Sequence, residues 1–147
     1  MIEPIQSLTF HDDLHRYRYK GQWLAESVSG VIGFDMSPRQ REAIERTKDG
    51  PDGWAIRGET LHVWLEGLLK GSEPAIEERW TPWLDPLRSD PLFADFELLA
   101  TEYRLCDAKR SVGGSFDFLL RLRGEGPEKD WPVVLGDLKP VSSRKAV

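Results

Sequence analysis

A chain of 147 residues, 39% hydrophobic and 31% charged, is long enough for one folded core and too apolar for disorder to be the default. Its net charge of −5 argues against binding nucleic acid over the whole surface, and its single cysteine, Cys106, excludes an intrachain disulfide and fits a reducing, cytoplasmic setting. No apolar stretch approaches the length of a bilayer span, and the first residues lack a basic-then-apolar signal pattern.

Residues from about Leu14 to Tyr19 and from Gln22 to Ala25 alternate around Lys20-Gly21, which predicts a short hairpin. Ser37-Pro38-Arg39-Gln40 supplies a cap, a proline at the first helical position and a glutamine three residues past the cap, so a helix runs to about Lys48 and ends in the loop Asp49 to Gly53. The next helix carries Leu61, Trp64, Leu65, Leu68 and Leu69 as one stripe and stops at Gly71. His62 falls at the edge of that stripe, where a hydrogen bond to Glu66 one turn on is one reading. Pro74 to Trp83 is expected to form a short helix that Pro82 ends, with Pro86 and Pro91 making the following stretch a loop. Trp64, Trp80 and Trp83 lie near helical spacing and are expected in a core or an interface.

Phe96 to Cys106 alternates again, with Ala100, Glu102 and Arg104 on one face, so Glu102 is open to two roles: an acid beside a metal, or a partner of Arg104. Two strands come next, one in Val112-Gly113-Gly114-Ser115-Phe116-Asp117 and one in Val134-Leu135-Gly136-Asp137-Leu138-Lys139, separated by the turn Gly124 to Pro127. In the last, Val133, Leu135, Asp137 and Lys139 share one parity, so Asp137 and Lys139 point the same way. The order of elements predicts an α+β (mixed α/β) domain, helices against one face of a small mixed sheet. Basic residues Arg104, Lys109, Arg110, Arg121 and Arg123 gather around the hairpin, while Glu73, Glu77, Glu78, Asp85, Asp90, Asp95 and Glu97 crowd the segment before it. Such a run is either a solvated face or a track that meets nucleic acid.

Two carboxylates that converge repel each other unless a cation lies between them, and a divalent ion with oxygen ligands is the usual solution. Asp117 and Asp137 are therefore expected with their side-chain oxygens on the order of 3 to 6 Å apart, and Lys139 beside them is placed to orient a metal-bound water and offset charge on a phosphate. The pattern is that of phosphodiester hydrolysis.

These residues resemble the PD-(D/E)xK nuclease superfamily, in its RecB-like and phage-exonuclease-like branch. Gly114-Ser115-Phe116-Asp117 is similar to the branch's GxxD hairpin and Gly136-Asp137-Leu138-Lys139 to its (D/E)xK strand. Arg57-Gly58-Glu59-Thr60-Leu61-His62 resembles the RGxxxH-like helix that brings a histidine to the metal, and Ala100-Thr101-Glu102-Tyr103 the strand that carries an acid before the hairpin. The opening, Phe10-His11-Asp12-Asp13-Leu14-His15-Arg16-Tyr17 with Ser27-Val28-Ser29-Gly30-Val31, resembles the first hairpin and "SVT" segment of phage members. The resemblance covers about Phe10 to Lys139. It implies a restriction-endonuclease-like core of a helix followed by a three-stranded meander, and a single nuclease domain over residues 1–147.

The same resemblance implies a metal-dependent DNA nuclease, exonuclease-like, acting in repair, recombination or phage DNA processing. Asp117, Asp137, Lys139 and Glu102 are the catalytic candidates. Mg²⁺ or Mn²⁺ is held by Asp117, Asp137, His62 and the backbone carbonyl of Leu138, with Mn²⁺ favoured by the imidazole. Arg57, Lys109, Arg110 and Arg121 are the candidate contacts to DNA. Members of the branch continue from the (D/E)xK strand into a QxxxY helix; the chain reaches Val147 with only the turn at 142–145, so the expectation is a domain lacking that helix, its site completed by a partner protein or second subunit. The rivals are a catalytically inactive nuclease-fold module that binds DNA or protein, and an unrelated α+β scaffold with the two acids far apart.

Overall fold

The computed structural model describes residues 1–140, so the turn expected at 142–145 lies outside the described residues. The protein is mixed α+β. Among the described residues eleven elements succeed one another: β1 (Leu8–His11), β2 (Arg16–Tyr19), β3 (Gln22–Trp23), β4 (Glu26–Ser27), α1 (Val28–Ile32), α2 (Pro38–Arg46), α3 (Trp54–Leu69), α4 (Thr81–Arg88), β5 (Phe96–Asp107), β6 (Val112–Leu122) and β7 (Val133–Gly136). Short 3₁₀ turns lie at Glu78–Trp80, Pro91–Phe93 and Glu128–Asp130.

The first three strands form an antiparallel sheet in the order β1-β2-β3. Its second turn is the expected Lys20-Gly21, where both residues take positive φ, +47° and +80°, the conformation that matches the twist of a two-residue hairpin. The second sheet is built around β6. β5 lies antiparallel along one side of it; on the other side β4 pairs in parallel near Gly113, and β7 pairs antiparallel from Phe118 to Arg121. The sheet is thus mixed, and β5, β6 and β7 make a meander.

The stripe on α3 is the core. Leu61, Trp64, Leu65 and Leu69 are buried, together with Trp80, Leu84, Phe118 and Leu120. Fully burying a side chain of this size stabilises the fold by roughly 1.5–3 kcal/mol, which is why α3 holds its place against the meander. A smaller cluster of Leu8, Tyr17 and Leu24 with Phe10, Tyr19 and Cys106 joins the first sheet to the end of β5, where Cys106 pairs with Gly113 of β6. Gly113 makes that approach possible: a Cβ there would stand 2.5 Å from Cγ of Tyr17. The capping box at Ser37 is present, with Gln40 N–H donating to Ser37 Oγ at 3.2 Å and Ser37 N–H donating to Gln40 Oε1 at 2.8 Å.

Two expectations about local structure are corrected. Pro82 does not end a helix over 74–83; it sits in the first turn of α4, and Pro86 lies inside that helix. A first-turn proline forfeits an N–H that has no partner anyway, and with α4 only eight residues long Pro86 forfeits one bond while the fully buried Leu84 pins the segment. The last strand also ends sooner than its alternation suggests, at Gly136, leaving Asp137 to Lys139 as irregular backbone. Among the described residues no helix is long and apolar enough to cross a membrane.

Candidate active site

Register puts three acids in one row. β5 and β6 pair Thr101 with Phe118 and Tyr103 with Phe116, so Glu102 lies opposite Asp117. β6 and β7 pair Phe118 with Gly136, and the next step in that register sets Asp137 beside Asp117. The flanking register thus brings the three acids to neighbouring backbone positions where β6 and β7 part, in contrast to an unrelated scaffold that would set Asp117 and Asp137 far apart. In place of the next ladder bond, the backbone N–H of Leu138 donates to Asp117 Oδ2.

Glu102 reaches the row through an irregularity that alternation does not reveal. The β5–β6 register shifts between Leu98 and Ala100, and Glu102 itself has φ +45°, left-handed backbone that a non-glycine residue adopts at a cost. Its carboxyl is held above the usual range, first by the protein packed around it and then by the charge on Asp117. Among the described residues it forms no ion pair, and Arg104, its alternative partner, lies with its guanidinium 5.9 Å from the ring of Phe10. Glu102 thus feels the charges of Asp117 and His62 and also that of Arg104.

α3 brings His62 to the same point. Its Nε2 is 3.0 Å from Asp117 Oδ2, and its Nδ1 is 2.7 Å from the carbonyl of Gly58 one turn back. A carbonyl only accepts, so Nδ1 carries a proton and Nε2 faces the carboxylate. The hydrogen bond to Asp117 raises the His62 pKa to about 9 against the opposing effect of burial, helped by the Gly58 carbonyl and by the charges on Asp117 and Glu102. Burial pushes Asp117 upward, but hydrogen bonds from His62 and Leu138, the charge on His62 and the Asp137 side chain hold it below its ordinary value. The alternative in which His62 bonds Glu66 is not what forms: Glu66 is taken by Lys70, with Nζ 2.5 Å from Oε1.

Asp137 and Lys139 meet just past the end of β7, with Lys139 Nζ 2.6 Å from Asp137 Oδ2. Gly136, just before them, is dictated by packing, since a Cβ there would lie 1.9 Å from Cζ of Phe118. The donor chemistry suits a divalent cation: two carboxylates near enough for Asp137 to affect the proton affinity of Asp117, and an imidazole whose other nitrogen is tied to a backbone carbonyl in the way metal-ligating histidines are. Among the described residues no three His, Cys, Asp or Glu side chains are placed to grip one ion together. The ion pairs His62–Asp117 and Lys139–Asp137 take up the carboxylate oxygens that such an ion would use.

Most of the basic residues around the hairpin have other partners, while Arg104 acts on Glu102 through its charge. Arg110 pairs with Asp107 at the β5–β6 turn at 2.7 Å, with Lys109 exposed beside it. Arg121 is ion-paired with Glu97 and Glu128, and Arg123 with Asp95. Arg57 lies on α3 with its guanidinium 5.4 Å from the Trp83 ring centroid. The hairpin therefore carries cations largely matched by acids, and the charge segregation read along the chain does not become a bare basic track. Missed in sequence were the Leu138 N–H and the Gly58 carbonyl, both backbone groups, and the register that lines up Glu102 with the two aspartates. Comparison with protein-family models, with curated proteins and with solved structures finds no match.

Proposed function

We propose that this chain is a divalent-metal-dependent DNA nuclease of the PD-(D/E)xK type, RecB-like and exonuclease-like, on a restriction-endonuclease-like core of α3 and the β5-β6-β7 meander. The observation that carries the reading is the convergence on Asp117 of His62 from α3, Asp137 from the end of β7 and the Leu138 N–H, with Lys139 bonded to Asp137. Mg²⁺ or Mn²⁺ would be held by Asp117, Asp137 and His62 Nε2, with the Leu138 carbonyl as a further ligand; when bound it lowers the pKa of water and stabilises charge growing on the phosphate. The chain's own groups do the rest. The Gly58 carbonyl holds the proton on Nδ1, so Nε2 is the nitrogen that would give up its proton to a metal. Lys139, exposed and two residues past Asp137, supplies N–H donors to an attacking water or a phosphate oxygen. Glu102, in the same row, adds a carboxylate for a second ion or a bridging water. The single free cysteine fits work in the reducing cytoplasm.

The test is cleavage of a labelled linear DNA by the purified chain with Mn²⁺, with Mg²⁺ and with EDTA. Cleavage in either cation and none in EDTA is expected. Activity that survives EDTA overturns the reading, and DNA binding without cleavage in any divalent cation would assign the chain to the inactive, binding-only class.

A further inference from the structure

The first sheet buries one face and leaves the other open. In β2 the pattern alternates strictly, with Tyr17 buried and Arg16 and Arg18 exposed. Arg16 pairs across the sheet with His11, and Arg18 with Thr9 on one side and Trp23 on the other, so these five side chains share the outer face. Trp23 is 38% exposed, far more than a core tryptophan such as Trp64 at 1%. The Arg16 and Arg18 guanidiniums lie 5.1 and 5.5 Å from its ring centroid, and the His11 ring meets it edge-on at 4.9 Å. Neither arginine is ion-paired among the described residues: Arg16 donates to the Leu24 carbonyl and Arg18 to the Gly21 carbonyl, which satisfies hydrogen bonds and leaves both charges uncompensated. Asp12 and Asp13 sit in the β1–β2 turn beyond the His11–Arg16 pair and form no ion pair with either arginine. Other arginines of this chain also lack a carboxylate partner, but two guanidiniums on one exposed tryptophan occur, among the described residues, at this face alone.

From this we infer that the outer face of β1-β2-β3 is a binding platform for single-stranded nucleic acid, separate from the Asp117 site. Its chemistry is the pairing such strands require, a planar aromatic ring for an unpaired base and guanidiniums for the phosphates flanking it. Duplex DNA offers phosphates but no free base face, so it gains only the charge contacts. A membrane surface needs a broader apolar area than one tryptophan, and an acidic peptide meets the guanidiniums but sets a planar group on the indole only where it carries an aromatic residue, whereas every nucleotide carries one. The inner face of the same sheet packs Tyr17 on Gly113, four residues or about 13 Å along β6 from Asp117, so platform and acids belong to one continuous framework.

The test is fluorescence anisotropy of a labelled oligothymidylate of about 12 nucleotides, in EDTA, so that binding is read apart from any cleavage and the outcome is independent of the nuclease reading. Trp23→Ala is expected to weaken binding about ten-fold, with Trp23→Phe restoring most of it, because stacking needs only a π face. Arg16→Gln with Arg18→Gln should lower the slope of log affinity against log salt by about 1.4, the counterions of two phosphate contacts on a single strand. Circular dichroism and thermal unfolding of each variant confirm that the exposed substitutions leave the fold intact. Unchanged affinity and salt slope in folded variants overturns the proposal, as does binding of a matched duplex, of polyglutamate or of anionic phosphatidylserine vesicles as tight as that of the oligonucleotide and equally sensitive to Trp23→Ala.

Discussion

His62 Nε2 and Asp117 Oδ2, fifty-five residues apart in the chain, lie 3.0 Å from each other and join the helix of the core to its central strand. The contact is at once structural and chemical: it anchors α3 over the meander, and it presents an imidazole nitrogen and a carboxylate at the same point. Each partner changes the other's proton affinity, upward for His62 and downward for Asp117.

That coupling sets a pH dependence for the metal-free chain. A histidine whose pKa rises from 6.5 unfolded to about 9 folded contributes stability that is full below 6.5 and is lost as pH climbs through 9. An aspartate held below its ordinary 3.8 contributes above that value and loses its contribution as pH falls through its folded pKa. In EDTA, thermal unfolding should therefore give the largest advantage of wild type over His62→Gln between about pH 4 and 6.5, shrinking toward pH 9. A difference between the two proteins that does not vary from pH 5 to pH 9 would falsify the pairing.

Glycines in the two motifs make opposite predictions. Gly136→Ala sets a methyl 1.9 Å from Cζ of the buried Phe118, so the ring must move, and a cost of about 1–3 kcal/mol is expected from such overpacking. Gly58 lies inside α3 with open space where its Cβ would point, so Gly58→Ala should stabilise by about 0.5–1 kcal/mol through lower backbone entropy in the unfolded chain. Urea unfolding of the two variants decides; equal effects in the same direction would show that the packing around Phe118 is not as described.

The α3 stripe was legible in the sequence because the period of 3.6 is a property of local sequence. Asp117, Asp137 and Lys139 were legible only as motifs, and His62 only through the likeness of Arg57 to His62 to an RGxxxH-like helix, because periodicity by itself leaves His62 at the edge of the stripe and strand parity does not reach past Gly136. The row of three acids was not legible. It depends on a register shift at Leu98/Ala100 and on one left-handed residue, which arise from how β5 fits β6 and leave no trace in alternation. α4 escaped for a similar reason: proline propensity argued against a helix over Thr81–Arg88, and burial of Leu84 outweighed it. The cationic face of the first sheet was written in the sequence as alternation of Arg16, Tyr17, Arg18 and Tyr19, but only the three-stranded pairing shows that Trp23 joins the arginines.

Glu102 offers a test of strain held at the site. A left-handed backbone costs a residue with a Cβ about 1–2 kcal/mol, a cost glycine escapes. Glu102→Gly should accordingly be more stable than Glu102→Ala by about 1 kcal/mol, the reverse of the order expected for a regular strand position. Chemical denaturation of the pair is the measurement. Alanine equal to or better than glycine would mean that residue 102 takes ordinary extended backbone.

Asp137 and Lys139 share an ion pair but not a role, and substitution separates them. Under the proposed function Asp137 is a metal ligand, so Asp137→Ala should weaken calorimetric Mn²⁺ binding sharply and abolish cleavage. Lys139→Ala removes the cation 2.6 Å from Asp137 Oδ2 that competes with metal for that oxygen, so Mn²⁺ should bind as tightly as to wild type or more tightly. On the same proposal cleavage should nevertheless fall about 100-fold, because the variant lacks the donor proposed to orient water and offset charge on the phosphate. The informative quantity is the divergence of the two readouts in the lysine variant. If Lys139→Ala loses metal binding in parallel with cleavage, the lysine serves only to hold Asp137 in place; if it loses neither, the Asp137-Leu138-Lys139 segment is not the reacting edge of the site.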